Sequence, residues 1–153
     1  MKKEHIQELI DRYVYLSFSV TKKAEALITE QIGAELTYDQ QYMLRYIKNT
    51  HQCTSTELAE VFDVKKSAIT AIINRLAAKG LIERTRDEDD RRVVYLTLSK
   101  GGEDLFQRTE ERVHCAVEKI IRKFDPQEIK DFLKTYEKLG RVLTEIKVES
   151  QEE

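Results

Sequence analysis

The chain has 153 residues, of which 41% are hydrophobic and 35% are charged, and its formal net charge is −2 at pH 7. No apolar run approaches the ~18–20 residues of a membrane span, and the N-terminal sequence MKKEHIQEL lacks the apolar segment of a signal peptide. We therefore expect a soluble, cytoplasmic protein with one domain or two small lobes and no membrane partner. Five glycines and one proline provide few tight turns, which indicates long helices.

Residues 5–32 carry apolar side chains at alternating spacings of three and four, which predicts a long amphipathic helix. Gly33 follows and ends it. Thr37 and Gln40 match a capping box, in which each residue satisfies a backbone N–H of the other, and they predict a second helix within 36–47.

A third and a fourth helix follow with a short turn between them. Thr54 and Glu57 repeat the capping pattern at the start of the third helix. Asp63 lies in the turn, and aspartate tolerates the left-handed conformation better than most residues. The fourth helix is predicted over 65–79, with Gly80 just beyond its end.

Two runs rich in β-branched and aromatic residues come next, LIERTR and RRVVYLTL. A short acidic loop joins them, and the pattern predicts a β-hairpin. A pair of helices followed directly by a hairpin is typical of a winged helix-turn-helix.

Long helices are predicted at the C-terminal end as well. Ser99 is positioned to cap a fifth helix over roughly 100–123, and Pro126 starts a sixth. The apolar residues of the sixth helix repeat about every 3.5 positions, the spacing of helices packed side by side: Ile129, Phe132, Leu133, Tyr136, Leu139, Leu143 and Ile146. Because the terminal helices carry more apolar surface than their own lobe can bury, we expect a homodimer formed by both termini.

Charge is distributed unevenly along the chain. Residues 65–100 contain nine Lys/Arg and five Asp/Glu, a local charge of +4, so the remainder carries −6. A basic segment on an acidic body is typical of local phosphate binding.

The segment from ELAEVF to GGEDL resembles the DNA-binding core of the MarR family of bacterial transcription regulators. LTYDQQYML resembles the family's L-T-x-x-Q-x-x-x-L entry into the second helix. The hairpin resembles R-x-x-D-x-x-D-R-R, matched by Arg84, Asp87, Asp90, Arg91 and Arg92. These motifs cover about residues 36–105, and the order and length of the helices extend the likeness across the chain.

The resemblance implies a mainly α (α+β) fold with a winged helix-turn-helix core and long N- and C-terminal helices. Residues 36–98 would form the DNA-binding lobe, and 1–35 with 99–153 the dimerisation lobe, of a single domain over 1–153. The implied function is that of a homodimeric repressor on a pseudo-palindromic operator in double-stranded DNA. A ligand or an oxidant would release it by changing the spacing of the two recognition helices.

The resemblance also implies the DNA contacts. The fourth helix would enter the major groove, where Ser67 and Thr70 can bond bases or phosphates and Asn74 can read adenine. Arg92 at the hairpin tip would enter the minor groove, held in place by Asp90. Asp87, Glu88 and Asp89 are interpreted as solvating charges, and an exposed ion pair remains the alternative for Arg91. The complete predicted set is Lys65, Lys66, Ser67, Ala68, Thr70, Ala71, Asn74, Arg75, Lys79, Arg86, Asp90, Arg91 and Arg92.

One departure from the family concerns the first residue of the recognition helix. The family often has serine at this N-cap, and this chain has Lys65. A capping hydrogen bond is lost and a charge is gained, so we expect a more electrostatic affinity for DNA.

Family members often bind small aromatic acids or phenols in a pocket framed by the first, second and fifth helices. The candidates for such a pocket are Tyr13, Ser17, Tyr42, Tyr46 and His114. Arg45 or Arg112 could neutralise a carboxylate, although both are expected to face water. No cofactor is expected.

Two other functions stay open. Redox sensing through Cys53 is one, because the N-terminus of the third helix could lower the pKa of its thiol; Cys115 is interpreted as inert packing. A winged-helix module that binds protein is the other. His51, Cys53, His114 and Cys115 lack zinc-ligand spacing, so no metal site is expected. No nucleophile elbow or phosphate-cradling glycine loop indicates an enzyme.

Overall fold

The structure is a computed structural model that describes residues 2–152. Its elements follow in the order α1 (Lys3–Ile32), α2 (Tyr38–Asn49), α3 (Ser55–Phe62), α4 (Lys66–Ala78), β1 (Ile82–Arg86), β2 (Val94–Leu98), α5 (Lys100–Ile121) and α6 (Pro126–Glu152). The predicted mainly α fold with a small hairpin is therefore confirmed. The backbone forms two compact units, residues up to 114 and residues from 115 onward.

The starts of α2 and α3 are set by side-chain caps. Thr37 Oγ1 accepts the Gln40 N–H at 3.2 Å, and Gln40 Oε1 accepts the Thr37 N–H at 3.1 Å, so the capping box of α2 is confirmed. At α3, Thr54 Oγ1 accepts the Glu57 N–H at 3.2 Å. Each cap satisfies N–H groups that the first helical turn leaves unpaired.

The turn between α3 and α4 uses a left-handed residue, as expected. Asp63 has φ 52° and ψ 47°, and it reverses the chain between the two helices. The start of α4 also matches the prediction, since Lys65 occupies the N-cap without a side-chain capping bond. Its first N–H groups therefore remain available to an acceptor outside the helix.

Strands β1 and β2 pair antiparallel, with Ile82 opposite Leu98 and Arg86 opposite Val94. A third segment pairs with this hairpin, and that pairing was not predicted from the sequence. Cys53 forms an isolated bridge with Leu96, whose N–H donates to the Cys53 carbonyl at 2.8 Å. The connection between α2 and α3 is thereby attached to the middle of strand β2.

The core of the first unit is apolar and lies between the helix-turn-helix, the hairpin base and the start of α5. Its members come from every element between α2 and α5: Met43, Leu44, Ile47, Leu58, Ile69, Ile73, Leu76, Ile82, Leu96, Leu105 and Phe106. Burying each such side chain contributes about 1.5–3 kcal/mol. This core holds α4 and the hairpin in a fixed orientation relative to α2, α3 and the start of α5.

The two ends of the hairpin are held together by Ser99, which bonds to the residues just before β1. Ser99 Oγ accepts the Gly102 N–H at 2.9 Å, which confirms Ser99 as the cap of α5, and donates to the Gly80 carbonyl at 2.5 Å. The Ser99 N–H donates to the Leu81 carbonyl at 3.0 Å. The backbone of Gly102 lies so close to the backbone of Leu81 that a Cβ atom at Gly102 would be 1.9 Å from the Leu81 carbonyl oxygen.

The terminal helices expose many large apolar side chains in the single chain. On α1 these are Ile6, Leu9, Ile10, Tyr13, Val14, Tyr15, Leu16, Phe18 and Val20. On α6, in the second unit, they are Phe132, Leu133, Tyr136, Val142, Leu143 and Ile146. None of the helices in residues 2–152 is long and apolar enough to cross a membrane.

Candidate nucleic-acid interface

The fourth helix presents a polar stripe opposite its buried side. Ile69, Ile73 and Leu76 are buried, and the opposite face carries the exposed side chains of Ser67 and Ala71. Ala68, Thr70, Asn74 and Arg75 are exposed on the same helix. The Thr70 hydroxyl also donates to the Lys66 carbonyl at 2.9 Å. The helix therefore offers small and hydrogen-bonding groups to the solvent, as a groove-reading helix does.

Positive charge collects at the first turn of this helix. Lys65 and Lys66 are both exposed there. The uncapped N–H groups of the same turn carry the positive end of the helix dipole. A phosphate oxygen is the acceptor that suits this combination.

The wing tip holds one arginine in a defined orientation. Arg92 Nε donates to Asp90 Oδ1 at 3.1 Å and its Nη2 donates to Oδ2 at 3.3 Å, while the Arg92 N–H also donates to Oδ1 at 3.1 Å. The guanidinium and N–H of Arg92 hold the pKa of Asp90 below its usual value. Because the Arg92 side chain remains 91% exposed, the contact orients the guanidinium without burying it.

Asp87 is a structural residue, so its interpretation as a solvating charge is wrong. Its Oδ1 accepts the N–H groups of Asp89 at 2.9 Å and Asp90 at 3.0 Å, and its Oδ2 accepts the Tyr95 hydroxyl at 2.8 Å. The Asp90 N–H, then the Tyr95 hydroxyl and the Asp89 N–H, lower the pKa of Asp87. The same hydrogen bond raises the pKa of Tyr95. Asp87 therefore fixes the backbone that carries Asp90.

Arg86 supports the wing from within. Its Nη1 donates to the Arg91 carbonyl at 3.1 Å, across the acidic loop. The Asp87 N–H donates to the Val93 carbonyl at 2.9 Å and closes the same loop. All three arginines predicted for the wing are exposed, and one of them, Arg86, also has a backbone partner across the loop.

Lys79, which was predicted to contact a phosphate, also has partners within the chain. It is the C-cap of α4, at the opposite end of the helix from Lys65 and Lys66. Its ammonium donates to the Glu35 carbonyl at 2.9 Å and approaches Gln40 Oε1 at 3.5 Å. Lys79 therefore ties the end of α4 to the chain that leads into α2.

Asn74 also has an intramolecular partner. Arg84 on β1 donates from Nη2 to Asn74 Oδ1 at 2.5 Å. The hairpin and the recognition helix are thus joined by a hydrogen bond between two exposed side chains.

Of the five predicted ligand-binding residues, Tyr42 alone lines the cavity formed by α1, α2 and α5. Tyr42 packs edge-on against Phe62, with ring centroids 5.8 Å apart, and lines a small cavity. Tyr13 and Ser17 are exposed on α1, and Tyr46 is half-buried on α2. His114 is exposed on α5, with Nε2 3.0 Å from Glu110 Oε1.

Glu110 connects α2 with α5 and was missed by the sequence reasoning. Its side chain is only 14% exposed. It accepts hydrogen bonds from Gln41 Nε2 at 3.1 Å and from Arg45 Nη1, in addition to the His114 contact. Arg45 is exposed, as expected, with 45% of its side chain accessible, and it also has Glu110 as a partner. No local pattern could have signalled this cluster, because Gln41 and Arg45 lie more than 60 positions away from Glu110.

A cavity of about 150 Å³ lies beside this cluster, between α1, α2 and α5. Its lining consists of Ile28, Tyr38, Gln41, Tyr42, Arg45, Glu110 and Val113. The lining combines two apolar side chains and two tyrosine rings with a cation and a carboxylate. Such a lining suits a small ring with one polar substituent.

The two cysteines differ from their predicted environments. Cys53 is buried, and that burial together with the carboxylate of Glu57 raises the pKa of its thiol to about 12, so the expected lowering is wrong in direction. Cys115 is exposed and does not pack in an interior. Among residues 2–152, no three His, Cys, Asp or Glu side chains are grouped to hold a metal ion.

The fold and the surface of α4 and the hairpin define a winged helix-turn-helix of the DNA-binding class. Residues 36–94 match the model of the MarR family. The chain is 30% identical over 100 residues to an uncharacterised HTH-type transcriptional regulator, YwhA of Bacillus subtilis, in an alignment that covers 65% of this chain and 72% of the relative.

Solved structures agree with this assignment. A MepR-like protein crystallised with pseudoligands is 35% identical, with a TM-score of 0.65, and covers 88% of this chain and 95% of its own. Streptococcus pneumoniae FabT in complex with DNA is 26% identical, with a TM-score of 0.72, and covers 92% of this chain and 99% of its own. The chain belongs to the MarR family: it is a DNA-binding transcriptional regulator and not an enzyme.

Proposed function

We propose that this regulator is a homodimeric, cytoplasmic repressor that binds a pseudo-palindromic operator and is released by a small phenolic or aromatic-acid ligand. The observation that carries the operator contact is the exposed Arg92 guanidinium held by both oxygens of Asp90. Fixing a free arginine costs about 2 kcal/mol of rotamer entropy, and a preformed contact meets part of that cost before DNA arrives. On this proposal Arg92 enters a narrow, A·T-rich minor groove.

The recognition helix α4 lies in the major groove on the same proposal. Ser67, Thr70 and Asn74 supply hydrogen-bonding groups, and the methyl groups of Ala68 and Ala71 suit contact with thymine methyls. Lys65, Lys66 and Arg75 would bind phosphates, with Arg91 near the backbone at the wing. Phosphate contacts fix the register without specifying sequence.

The operator contact is tested by titrating the DNA that flanks the protein's own gene at two or more salt concentrations. Arg92→Ala is expected to weaken binding by about 1–3 kcal/mol. The matched control Arg108→Ala removes an exposed arginine from α5 and is expected to leave affinity within about twofold, since it lies outside the basic segment. Equal effects of the two variants would overturn the minor-groove role of Arg92.

The dimer is supported by the exposed apolar faces of α1 and α6. An exposed apolar area on this scale marks an interface, and a second copy of the chain is the partner we propose, with residues 1–35 and 99–153 as the dimerisation lobe and 36–98 as the DNA-binding lobe. Half-sites about one helical turn apart, ~34–36 Å, would follow from the two-fold symmetry.

Matched substitutions on α6 test the dimer. Leu133→Asp places a charge in the apolar face, whereas Lys134→Asp changes the charge of the next residue. Sedimentation equilibrium is expected to show monomers for the first variant and dimers for the second. Removal of residues 126–153 is likewise expected to abolish the dimer and tight operator binding, and a DNA-competent monomer would contradict the proposal.

The effector site we propose is the cavity beside Glu110. Its volume of about 150 Å³ is below the 300–1,000 Å³ typical of drug-sized ligands, which favours a single ring. Tyr42 suits a phenol, and Arg45 suits a carboxylate. The other four predicted ligand-binding residues do not line this cavity: Tyr13, Ser17, Tyr46 and His114. We propose that they contact the ligand only after a rearrangement that accompanies ligand binding or dimerisation.

Salicylate is the probe for this site. It is expected to release the operator from the wild-type protein, and Arg45→Met is expected to raise the salicylate concentration required by about tenfold, the loss of one charge-assisted hydrogen bond. Release by peroxide and not by salicylate, with Cys53→Ser resistant to it, would replace this mechanism with redox sensing.

A further inference from the structure

We infer that Arg84 sets the base preference of Asn74: by occupying the amide oxygen, it makes Asn74 a donor that selects guanine or thymine in place of adenine. The inference rests on the proposed placement of α4 in the major groove. Arg84 belongs to the hairpin and Asn74 to the recognition helix, so the wing would influence sequence readout in the major groove as well as in the minor groove.

The position of Arg84 follows from the register of the hairpin. Successive side chains of a strand point to opposite faces. One face of β1 therefore carries Ile82, Arg84 and Arg86. Arg84 lies opposite Leu96, and both Leu96 and Ile82 are buried. That face therefore packs toward the helices at its base, and Arg84 is its first solvent-exposed member.

The same side chain reaches the flank of α4. Arg84 lines a cavity of about 210 Å³ together with Thr70 and Ile73 of α4, Ser55 of α3, and Val94 and Leu96 of β2. From there its Nη2 lies 2.5 Å from Asn74 Oδ1. Asn74 is exposed on the helix that we place in the groove.

The chemistry of this pair fixes which way the amide points. A guanidinium has only donors, so the atom of Asn74 that faces it must be the oxygen. The NH₂ group then points away from Arg84. The orientation of an asparagine amide is usually an assignment based on its hydrogen bonds, and here the partner leaves a single choice.

A donor-only asparagine favours different bases. Asparagine recognises adenine by donating to N7 while its oxygen accepts a hydrogen from the N6 amino group. With Arg84 in place, Asn74 Oδ1 already accepts a hydrogen bond from the guanidinium. The adenine amino group would have to compete with Arg84 for the same oxygen. Adenine would still offer N7 to the amide donor but places the N6 amino donor beside it, whereas guanine offers N7 and O6, and thymine offers O4, all of which are acceptors. The expectation that Asn74 reads adenine is therefore replaced by a preference for these acceptors.

Selection from a randomised duplex pool, followed by sequencing, tests the inference with the full-length protein. Asn74→Ala first identifies the base position that depends on Asn74, where it should flatten the preference. Arg84→Met keeps the apolar stem and removes the donors, and it is expected to shift that position toward adenine by about fivefold or more relative to wild type. Arg84→Lys retains a donor and should keep the wild-type preference.

Two further variants complete the test. Asn74→Asp keeps an acceptor for Arg84 but has no amide donor, so it should lose the preference for guanine or thymine with unchanged thermal stability. This result does not depend on the stability of the Arg84 variants. Arg108→Met removes one exposed arginine from α5, outside the basic segment, and serves as the control, with no shift at the Asn74-dependent position.

The outcomes separate this inference from the proposed function. A wild-type protein that enriches no sequence would overturn the operator proposal and this inference together. Enrichment of a motif in which Arg84→Met and Asn74→Asp both keep the wild-type preference would overturn only the role of Arg84. An Asn74→Ala variant that alters no position would have the same consequence.

Discussion

The hydroxyl of Tyr95 donates to Asp87 Oδ2 at 2.8 Å, and the other oxygen of Asp87 holds the N–H of Asp90. Asp90 in turn holds Arg92. A tyrosine on β2 is therefore connected through two aspartates to the arginine at the wing tip. Tyr95 and Asp87 are positioning residues on this geometry, and neither has to touch DNA to affect its binding.

We predict that Tyr95→Phe weakens operator binding about two- to tenfold, the loss typical of one hydrogen bond, without unfolding the protein. If Tyr95 acts through Arg92, the same substitution in an Arg92→Ala background should change affinity by less than about twofold. Fluorescence anisotropy on the operator measures all four affinities. Additive losses would show that Tyr95 has a separate role.

The acidic wing should be insensitive to pH near neutrality. Hydrogen bonds lower the pKa of both Asp87 and Asp90. The stabilisation these carboxylates give the hairpin is therefore fully present above the ordinary value of 3.8 and is lost only as pH falls through the lowered pKa values. Carbon NMR of the two carboxyl groups should give midpoints below those of the same aspartates in the isolated peptide DEDDRR. Midpoints at or above the peptide values would contradict the observed contacts.

Two adjacent glycines at the start of α5 should respond oppositely to alanine. A Cβ atom at Gly102 would lie 1.9 Å from the Leu81 carbonyl oxygen, whereas one at Gly101 would approach atoms no closer than 3.7 Å. Gly102→Ala is expected to destabilise the protein by about 1–3 kcal/mol because backbone must move. Gly101→Ala should be neutral or stabilising by up to about 1 kcal/mol. Urea denaturation compares the two.

The buried cysteine should be chemically silent. With a thiol pKa of about 12, roughly one molecule in ten thousand carries the Cys53 thiolate at pH 8, and only the thiolate reacts. Iodoacetamide treatment of the native protein followed by mass spectrometry should leave Cys53 unmodified, and both cysteines should react in urea. Rapid labelling of Cys53 in the folded protein would reopen the redox mechanism.

The sequence predicted those features that neighbouring residues decide. Thr37 and Gln40 are three positions apart, and their capping box formed as expected. Ser99, Asp63 and Gly80 likewise act within one turn of the chain. The Asp90–Arg92 contact spans two positions, so the wing motif was sufficient to predict it.

Features that depend on distant residues were not predictable in the same way. Asp87 accepts the N–H groups of Asp89 and Asp90 locally, but its hydrogen bond from Tyr95 depends on the pairing of the two strands. Glu110 meets Gln41 because α2 and α5 pack together, 69 positions apart in the chain. Cys53 was expected at an open helix end, but its backbone pairs with Leu96 and its side chain is covered. Tertiary packing decides each of these environments.

The contacts that close the hairpin at its base do not depend on the length of its tip. Ser99 bonds to Gly80 and Leu81, so the residues between them form a loop whose two ends are held together whatever lies beyond. A longer or shorter wing would join the body through the same atoms. On the function that we propose, insertions and deletions at the tip would change how far the hairpin reaches into DNA, while the packing of the helical core would stay the same.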